Sequence, residues 1–171
     1  MILVTVGLHG QPFERLVRAA DGMAALTCEP VIIQRGVARY VPAHAAWFDA
    51  IPAYHMEALT AQARVLVSHA GAGSVLAASR ACVPLILVAR LRRWGESIDD
   101  HQLQLAEALA QRGRAVVLSD VSPGALLRGV EQAEWVPDLA PGTGLLQALR
   151  NWLAEAPARP ARRSLARREG G

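Results

Sequence analysis

The chain has 171 residues, 52% of them apolar, which is long enough to bury one full core. All 18 basic residues are arginine, which excludes a P-loop and Schiff-base chemistry because both need a lysine. The net charge of +3 is uneven: residues 156–171 hold five arginines and one glutamate, whereas residues 1–155 hold 13 arginines and 14 acids. A body without a basic excess argues against nucleic acid as the main ligand.

The same composition predicts how the chain is organised. We expect one domain over residues 1–155 and a disordered tail, rich in Pro, Ala and Arg, over residues 156–171. No apolar run approaches the roughly 20 residues that span a bilayer, and the first seven residues are typical of a strand rather than a signal peptide. Cys28 and Cys82 lack metal-ligand spacing, so we expect two buried thiols in a reducing cytoplasm.

Short β-branched runs alternate with helical stretches along the chain. Strands are predicted at residues 2–6, 31–34, 47–51, 65–68, 85–88 and 115–118, with Trp47 and Phe48 in the core. Helices are predicted at residues 12–25, 54–62, 74–81, 98–111, 123–132 and 143–154. Apolar strands that alternate with helices predict a doubly wound parallel α/β sheet, on which ligands bind beyond the carboxyl ends of the strands.

The first loop at that edge follows strand 2–6 and contains Gly7, His9 and Gly10. The two glycines allow a ligand to approach the backbone closely, and His9 can donate to an anion. A flexible turn with a surface histidine fits the same residues.

The second loop, residues 68–74, connects a buried strand to a new helix. Its glycines, Gly71 and Gly73, and the positive end of the helix favour a phosphate or diphosphate beside His69 and Ser74. An ordinary tight turn with Ser74 as the N-cap is the alternative. A dinucleotide fingerprint fits poorly because Leu76 stands where the third glycine belongs, and a serine-nucleophile elbow fails because the required glycine after the serine is missing.

The third loop, residues 89–100, is charged and leads into a helix. Its aspartates suit a first helical turn, with Ser97 as the N-cap. His101 and Gln102 follow Asp100 and suit the hydroxyls of a sugar, but this group is too local to predict a metal site. Three arginines of this loop can face phosphate, namely Arg90, Arg92 and Arg93, and a solvated basic loop fits Arg92 and Arg93 equally well.

Taken in order, three motifs resemble glycosyltransferase family 28 C-terminal proteins. They are Val4-Thr5-Val6-Gly7-x-His9-x-Gln11-Pro12-Phe13, Ser68-His69-Ala70-Gly71-x-Gly73-Ser74, and Arg90 with Gly95-Glu96 and Asp99-Asp100-His101-Gln102-Leu103. The likeness covers roughly residues 1–120. It is strongest to single-domain members that act as subunits in exopolysaccharide synthesis or in dolichol-linked N-acetylglucosaminyl transfer.

This resemblance implies a Rossmann-like sheet that is the nucleotide-sugar half of a GT-B glycosyltransferase. It implies a UDP-sugar donor and inverting transfer without metal or cofactor, and it leaves the catalytic base unassigned. His69 and Ser74 would meet the diphosphate, and His101 and Gln102 the donor sugar. The expected donor-binding set is Gly7, His9, His69, Gly71, Gly73, Ser74, Arg90, Glu96, Asp100, His101 and Gln102.

The resemblance also implies a membrane-anchored partner subunit that binds a lipid-linked acceptor. The chain would then lie at the inner face of the cell membrane and act in exopolysaccharide or glycolipid synthesis. One departure is Ala77, which stands where relatives carry Glu or Asp for the ribose hydroxyls. Ribose binding is then weaker, supplied elsewhere or lost, and the alternatives are a self-sufficient small transferase or a non-catalytic subunit.

Overall fold

The computed structural model describes residues 1–136, so the predicted helix 143–154 and the predicted tail lie outside the described residues. Within these residues, strands and helices alternate, except that the second and third strands follow each other without a helix between them. In chain order they are β1 Ile2–Thr5, α1 Glu14–Ala24, β2 Val31–Gln34, β3 Ala46–Phe48, α2 Ala53–Gln62, β4 Val65–His69, α3 Ala72–Ala81, β5 Leu85–Val88, a 3₁₀ turn Arg92–Trp94, α4 His101–Gln111, β6 Val116–Val117 and α5 Pro123–Gln132.

The strands form one parallel sheet in the order β3-β2-β1-β4-β5-β6. The chain builds outward from β1 to β3 and then returns to place β4 on the other side of β1. This reversal puts a topological switch point at the carboxyl ends of β1 and β4, where Thr5 and Ser68 are register partners. The predicted doubly wound parallel sheet is confirmed.

The core lies where α1 and α5 pack on one face of this sheet. All four residues of β1 are buried, as expected for a central strand covered on both faces. The predicted apolar face of α1 is confirmed, because its members are all buried: Phe13, Leu16, Val17 and Ala20. No helix among residues 1–136 is long and apolar enough to cross a membrane.

Helix α3 begins earlier than predicted. Gly71 is its N-cap, with extended backbone at ψ 138°, and the Gly71 carbonyl accepts a hydrogen bond of 3.2 Å from the Val75 N–H. Ser74 therefore lies inside the first turn, and the alternative interpretation in which Ser74 is the N-cap is wrong. Helix α4 begins later than predicted, with Asp100 rather than Ser97 at its N-cap position.

Three residues expected in the core are exposed. Trp47 is 40% exposed because β3 is an edge strand, and its ring lies 4.2 Å from the Arg35 guanidinium. Cys82 caps the end of α3 in the left-handed conformation at φ 55°, and Cys28 lies in the turn before β2. Both thiols are exposed, so the prediction of buried cysteines is wrong.

A buried acid that the sequence analysis did not single out ties α1 to the segment before β3. The Asp21 carboxylate accepts hydrogen bonds from the Tyr40 hydroxyl and from the backbone N–H groups of Ala43, His44 and Ala45, at 2.7–3.1 Å. Burial alone would raise the pKa of Asp21, but these hydrogen bonds outweigh burial and hold that pKa well below its usual range.

Candidate functional site

A cavity of about 410 Å³ opens where β1, β2 and β4 end. Its floor includes the last residues of these strands, Thr5, Gln34 and His69, and helices α2 and α3 form its walls. Two of the three predicted loops meet here, because Gly7 and Gly73 both line the cavity. The expectation that a ligand site lies at the switch point is therefore matched by an open space at that place.

The His69 imidazole sits between two glycines. A Cβ atom added to Gly7 would lie 2.5 Å from the ring Cε1, and one added to Gly71 would lie 2.3 Å from the ring Nε2. Gly7 also adopts φ +75°, which a side chain would strain. The sequence analysis assigned these glycines to ligand approach, whereas the structure shows that each one first makes room for the histidine ring.

The surroundings of His69 keep its ring neutral at neutral pH. Burial lowers the pKa of His69 to about 4, and the positive charge of Arg90 and the nearby His9 act in the same direction. A hydrogen bond to the Thr5 backbone partly opposes this shift. The Ser68 Oγ lies 3.3 Å from the ring Nδ1. The ring is thus a fixed, uncharged hydrogen-bonding group at the base of the cavity.

The start of α3 is open toward the same cavity. No side chain of residues 1–136 caps this helix, so the backbone N–H groups of its first turn have no side-chain acceptor there. Gly73 is exposed, and a Cβ atom added to it would meet no described atom within 4 Å. The half-buried Ser74 lines the cavity beside it. Free N–H groups at the positive end of a helix are suited to bind an anion.

The polar floor of the cavity is already hydrogen-bonded within the protein. The Thr5 hydroxyl donates to Gln34 Oε1, the Gln34 amide donates to the Gly7 carbonyl at 3.4 Å, and the Gly7 N–H donates to Thr5 Oγ1 at 3.2 Å. This ring of bonds fixes the Gly7 peptide. The sequence analysis missed Gln34, although a polar residue that ends an otherwise apolar strand was a readable signal.

Arg90, a member of the expected donor-binding set, is buried behind the loops and is not among the residues that line the cavity. It is 1% exposed, and its guanidinium donates to the carbonyls of Val6 at 2.7 Å, Gln11 at 2.8 Å and Glu96 at 3.0 Å. Burial lowers the pKa of Arg90 to about 10, so the side chain stays charged at neutral pH. Its hydrogen bonds hold two loops together, and they direct the guanidinium at backbone carbonyls.

Glu96 is a second buried residue of this loop assembly. Its carboxylate pairs with both Arg15 Nε at 3.0 Å and Arg15 Nη2 at 2.9 Å, and it accepts the Leu91 N–H at 3.1 Å. The side chain is therefore occupied by protein groups. It positions the loop after β5 rather than presenting its carboxylate to a ligand.

The predicted sugar-binding residues lie at the end of the neighbouring strand, β5, and do not line the cavity. Asp100 Oδ1 accepts the Arg92 N–H at 3.1 Å, and Gln102 Oε1 accepts the Arg90 N–H at 3.2 Å. The His101 ring lies 3.0 Å from an oxygen of Asp99. The structure thus brings together Gly7, His69, Gly71, Gly73 and Ser74, with His9 near His69, while the Asp100–Gln102 group follows the adjacent strand β5 and is not among the residues that line the cavity.

Comparisons of the sequence and the structure with known proteins show which family the chain is similar to. The model of the glycosyltransferase family 28 C-terminal domain matches residues 1–134. The calicheamicin glycosyltransferase CalG4 is similar in structure, with a TM-score of 0.61 and 23% identity over 88% of this chain and 37% of that one. MurG from Acinetobacter baumannii gives a TM-score of 0.52 and 21% identity over 74% of this chain and 39% of that one.

A solution structure of ALG13 is also similar, with a TM-score of 0.57, 19% identity and coverage of 88% of this chain and 93% of that one. No curated protein matches at a significant level. The chain thus spans little more than a third of CalG4 and nearly all of that ALG13 structure. At these identities the structural likenesses show a shared Rossmann-like GT-B fold, while the family match covers most of the described residues. The chain belongs to the family defined by the glycosyltransferase family 28 C-terminal domain.

Proposed function

We propose that this chain is the UDP-sugar-binding subunit of an inverting, metal-independent glycosyltransferase. The observation that carries the proposal is the uncapped start of α3, which opens into the cavity beside His69 and Ser74. A diphosphate placed there would accept hydrogen bonds from the N–H groups of the first turn and from the Ser74 hydroxyl. UDP as the nucleotide follows from the family resemblance of the motifs around Gly71 and Gly73.

The same groups suit the departure of UDP. When the acceptor hydroxyl attacks the anomeric carbon, the bond to the β-phosphate oxygen breaks and negative charge develops on the diphosphate. Donors fixed in advance around that charge stabilise the transition state. Among residues 1–136, no three His, Cys, Asp or Glu side chains are grouped as a metal site. The proposal therefore assigns the stabilisation of this charge to helix α3, Ser74 and His69.

We propose that a membrane-anchored partner supplies the acceptor half and a lipid-linked acceptor, in exopolysaccharide or glycolipid synthesis. Residues 1–136 contain one sheet, whereas a GT-B active site lies between two lobes. Large apolar side chains are exposed on the two loops beside the site: Leu8, Trp94 and Ile98 are 77%, 61% and 71% exposed. Such a rim suits contact with a second lobe. The chain would then lie peripherally at the inner face of the membrane.

A second candidate is a non-catalytic subunit that has lost donor binding. The observation that favours it is Ala77, which lines the cavity with a methyl group where relatives carry an acid for the ribose. Under this alternative the cavity persists only as part of the fold, and UDP does not bind.

Calorimetric titration of UDP separates the two candidates. We expect UDP to bind and to raise the melting temperature by mass action, while NAD does neither. Ser74→Ala should weaken UDP binding about ten- to a hundredfold, because a hydrogen bond to a charged group contributes roughly 1.5–3 kcal/mol. Ser79→Ala, in the same helix but outside the cavity, is the matched control. Absence of UDP binding at millimolar concentration would refute the proposal and support the non-catalytic subunit.

The partner is tested separately by sugar transfer. Labelled transfer to a lipid acceptor is measured with the chain alone and with a candidate membrane-anchored, acceptor-binding protein. We expect turnover only with both proteins. Robust turnover by the chain alone would overturn the two-protein model and support a self-sufficient transferase.

A further inference from the structure

Helix α2 is an unusual wall for a folded domain, because Thr60 is the single residue of its ten that is buried. The helix packs against α3. Its inner side lines the cavity through residues such as Met56 and Glu57. A helix that covers a cavity rather than a packed core leaves its side chains available to a ligand.

The polar side chains lining this cavity differ in whether they already have partners. Thr5 and Gln34 bond to each other, and the Thr60 hydroxyl donates to the Met56 carbonyl at 2.8 Å. Glu57 and Ser74, by contrast, have no hydrogen-bond or ion-pair partner among residues 1–136. Ser74 belongs to the proposed diphosphate site. Glu57 is therefore the one cavity-lining acid of the described residues, and no protein group within them occupies it.

The exposed Glu57 lines the cavity from α2, and Ala77 lines the same cavity from α3. Ala77 lies three residues beyond Ser74, which places it about one turn, or roughly 4.5 Å, along α3 from the proposed diphosphate site. The methyl group of Ala77 leaves space that a longer side chain would fill. A carboxylate that reached that space from α2 would stand about one helical turn from the diphosphate site, at the distance of the next part of a nucleotide, its ribose.

We propose that Glu57 accepts hydrogen bonds from the ribose hydroxyls, and so replaces from α2 the acid that α3 lacks at Ala77. A carboxylate is suited to this task because it only accepts, and the two ribose hydroxyls can both donate to it. The inference rests on the proposed function. It implies that ribose recognition has moved to another helix rather than been lost.

The test compares UDP with its 2′,3′-dideoxyribose analogue by calorimetry. On the unaltered chain, we expect the analogue to bind about tenfold more weakly than UDP. Glu57→Ala should weaken UDP binding by a similar factor and leave the analogue unchanged, so that the two ligands become nearly equal. Glu107→Ala, which removes an exposed glutamate of α4, is the matched control and should change neither affinity.

A relocation experiment tests the replacement directly. In the Glu57→Ala background, Ala77→Glu should restore most of the lost preference for UDP. In the unaltered background, Ala77→Glu should give no gain, because it places two carboxylates in one cavity. The melting temperature of each variant checks that the fold is intact.

The outcomes separate the two proposals. If the unaltered chain binds no UDP, both the proposed function and the role of Glu57 are overturned. If the chain binds UDP but Glu57→Ala leaves the preference over the dideoxy analogue intact, then only the role of Glu57 is overturned. A preference that disappears in Glu57→Ala and returns with Ala77→Glu supports it.

Discussion

Gly71→Ala should displace the imidazole ring of His69 and thereby lower both the stability of the fold and its affinity for UDP. Gly71 has φ −100°, so its backbone accepts alanine without strain. The conflict is with the side chain of His69, because the new Cβ would lie 2.3 Å from Nε2 and 2.8 Å from Cδ2. The ring must rotate away, which breaks its hydrogen bond to the Thr5 backbone and its contact with Ser68.

The magnitude follows from those two interactions and from the helix cap. A neutral hydrogen bond contributes about 1 kcal/mol, and alanine is a poorer N-cap than glycine by roughly 0.5–1 kcal/mol. We therefore expect the free energy of unfolding to fall by about 1–2 kcal/mol, which lowers the melting temperature by roughly 3–10 °C. UDP affinity should fall about tenfold, because the ring no longer stands at the base of the cavity.

A double-mutant cycle tests the cause. In the His69→Ala background there is no ring to displace, so Gly71→Ala should cost only the small cap contribution. Gly73→Ala is the matched control, since no atom of the described residues lies within 4 Å of its Cβ position. It should raise stability by about 0.5–1 kcal/mol and still weaken UDP binding. An equal cost of Gly71→Ala with and without His69, measured by urea unfolding, would refute this reasoning.

Two further changes probe the supports of the site. Arg90→Met keeps an apolar side chain against the Phe13 ring but leaves three carbonyl oxygens without their donor. We expect urea unfolding to show that the free energy of unfolding falls by about 3–5 kcal/mol. A fall of less than about 1 kcal/mol would mean that water replaces the guanidinium. The pKa of His69 is about 4 when folded and 6.5 otherwise, so its contribution to stability is complete above pH 6.5 and is lost as the pH falls toward 4. His69→Ala should reduce the dependence of the melting temperature on pH over this range. An unchanged dependence would assign the effect to other groups.

The sheet could be predicted from the sequence because its signal is local. Apolar runs of four residues, such as Leu85–Val88, indicate burial on both faces without reference to the rest of the chain. The glycine turn before α3 was also local, since Gly71, Gly73 and the following helix are adjacent. These elements appear where they were predicted, within a few residues.

The parts that could not be predicted depend on contacts between distant residues. Gly7 is required by His69, which lies 62 positions later in the chain. Arg90 bonds to carbonyls of Val6 and Gln11, and nothing near Arg90 in the sequence indicates that these oxygens need a donor. A motif pattern identifies such residues as important, but only the packed structure distinguishes a group that binds a ligand from one that positions a loop.

The loop after β5 is closed on itself at its base. The Glu96 N–H donates to the Leu91 carbonyl at 3.3 Å, while the Leu91 N–H donates to the Glu96 carboxylate at 3.1 Å. Arg90 and Arg15 hold the two ends of the loop through Glu96, and residues 92–95, including Trp94, are exposed. Because the entropic cost of a longer loop grows only slowly with its length, residues 92–95 form a segment that can be lengthened or exchanged while the sheet and the start of α3 stay in place. This loop is therefore a suitable position for exchanging surface residues without disturbing the rest of the domain.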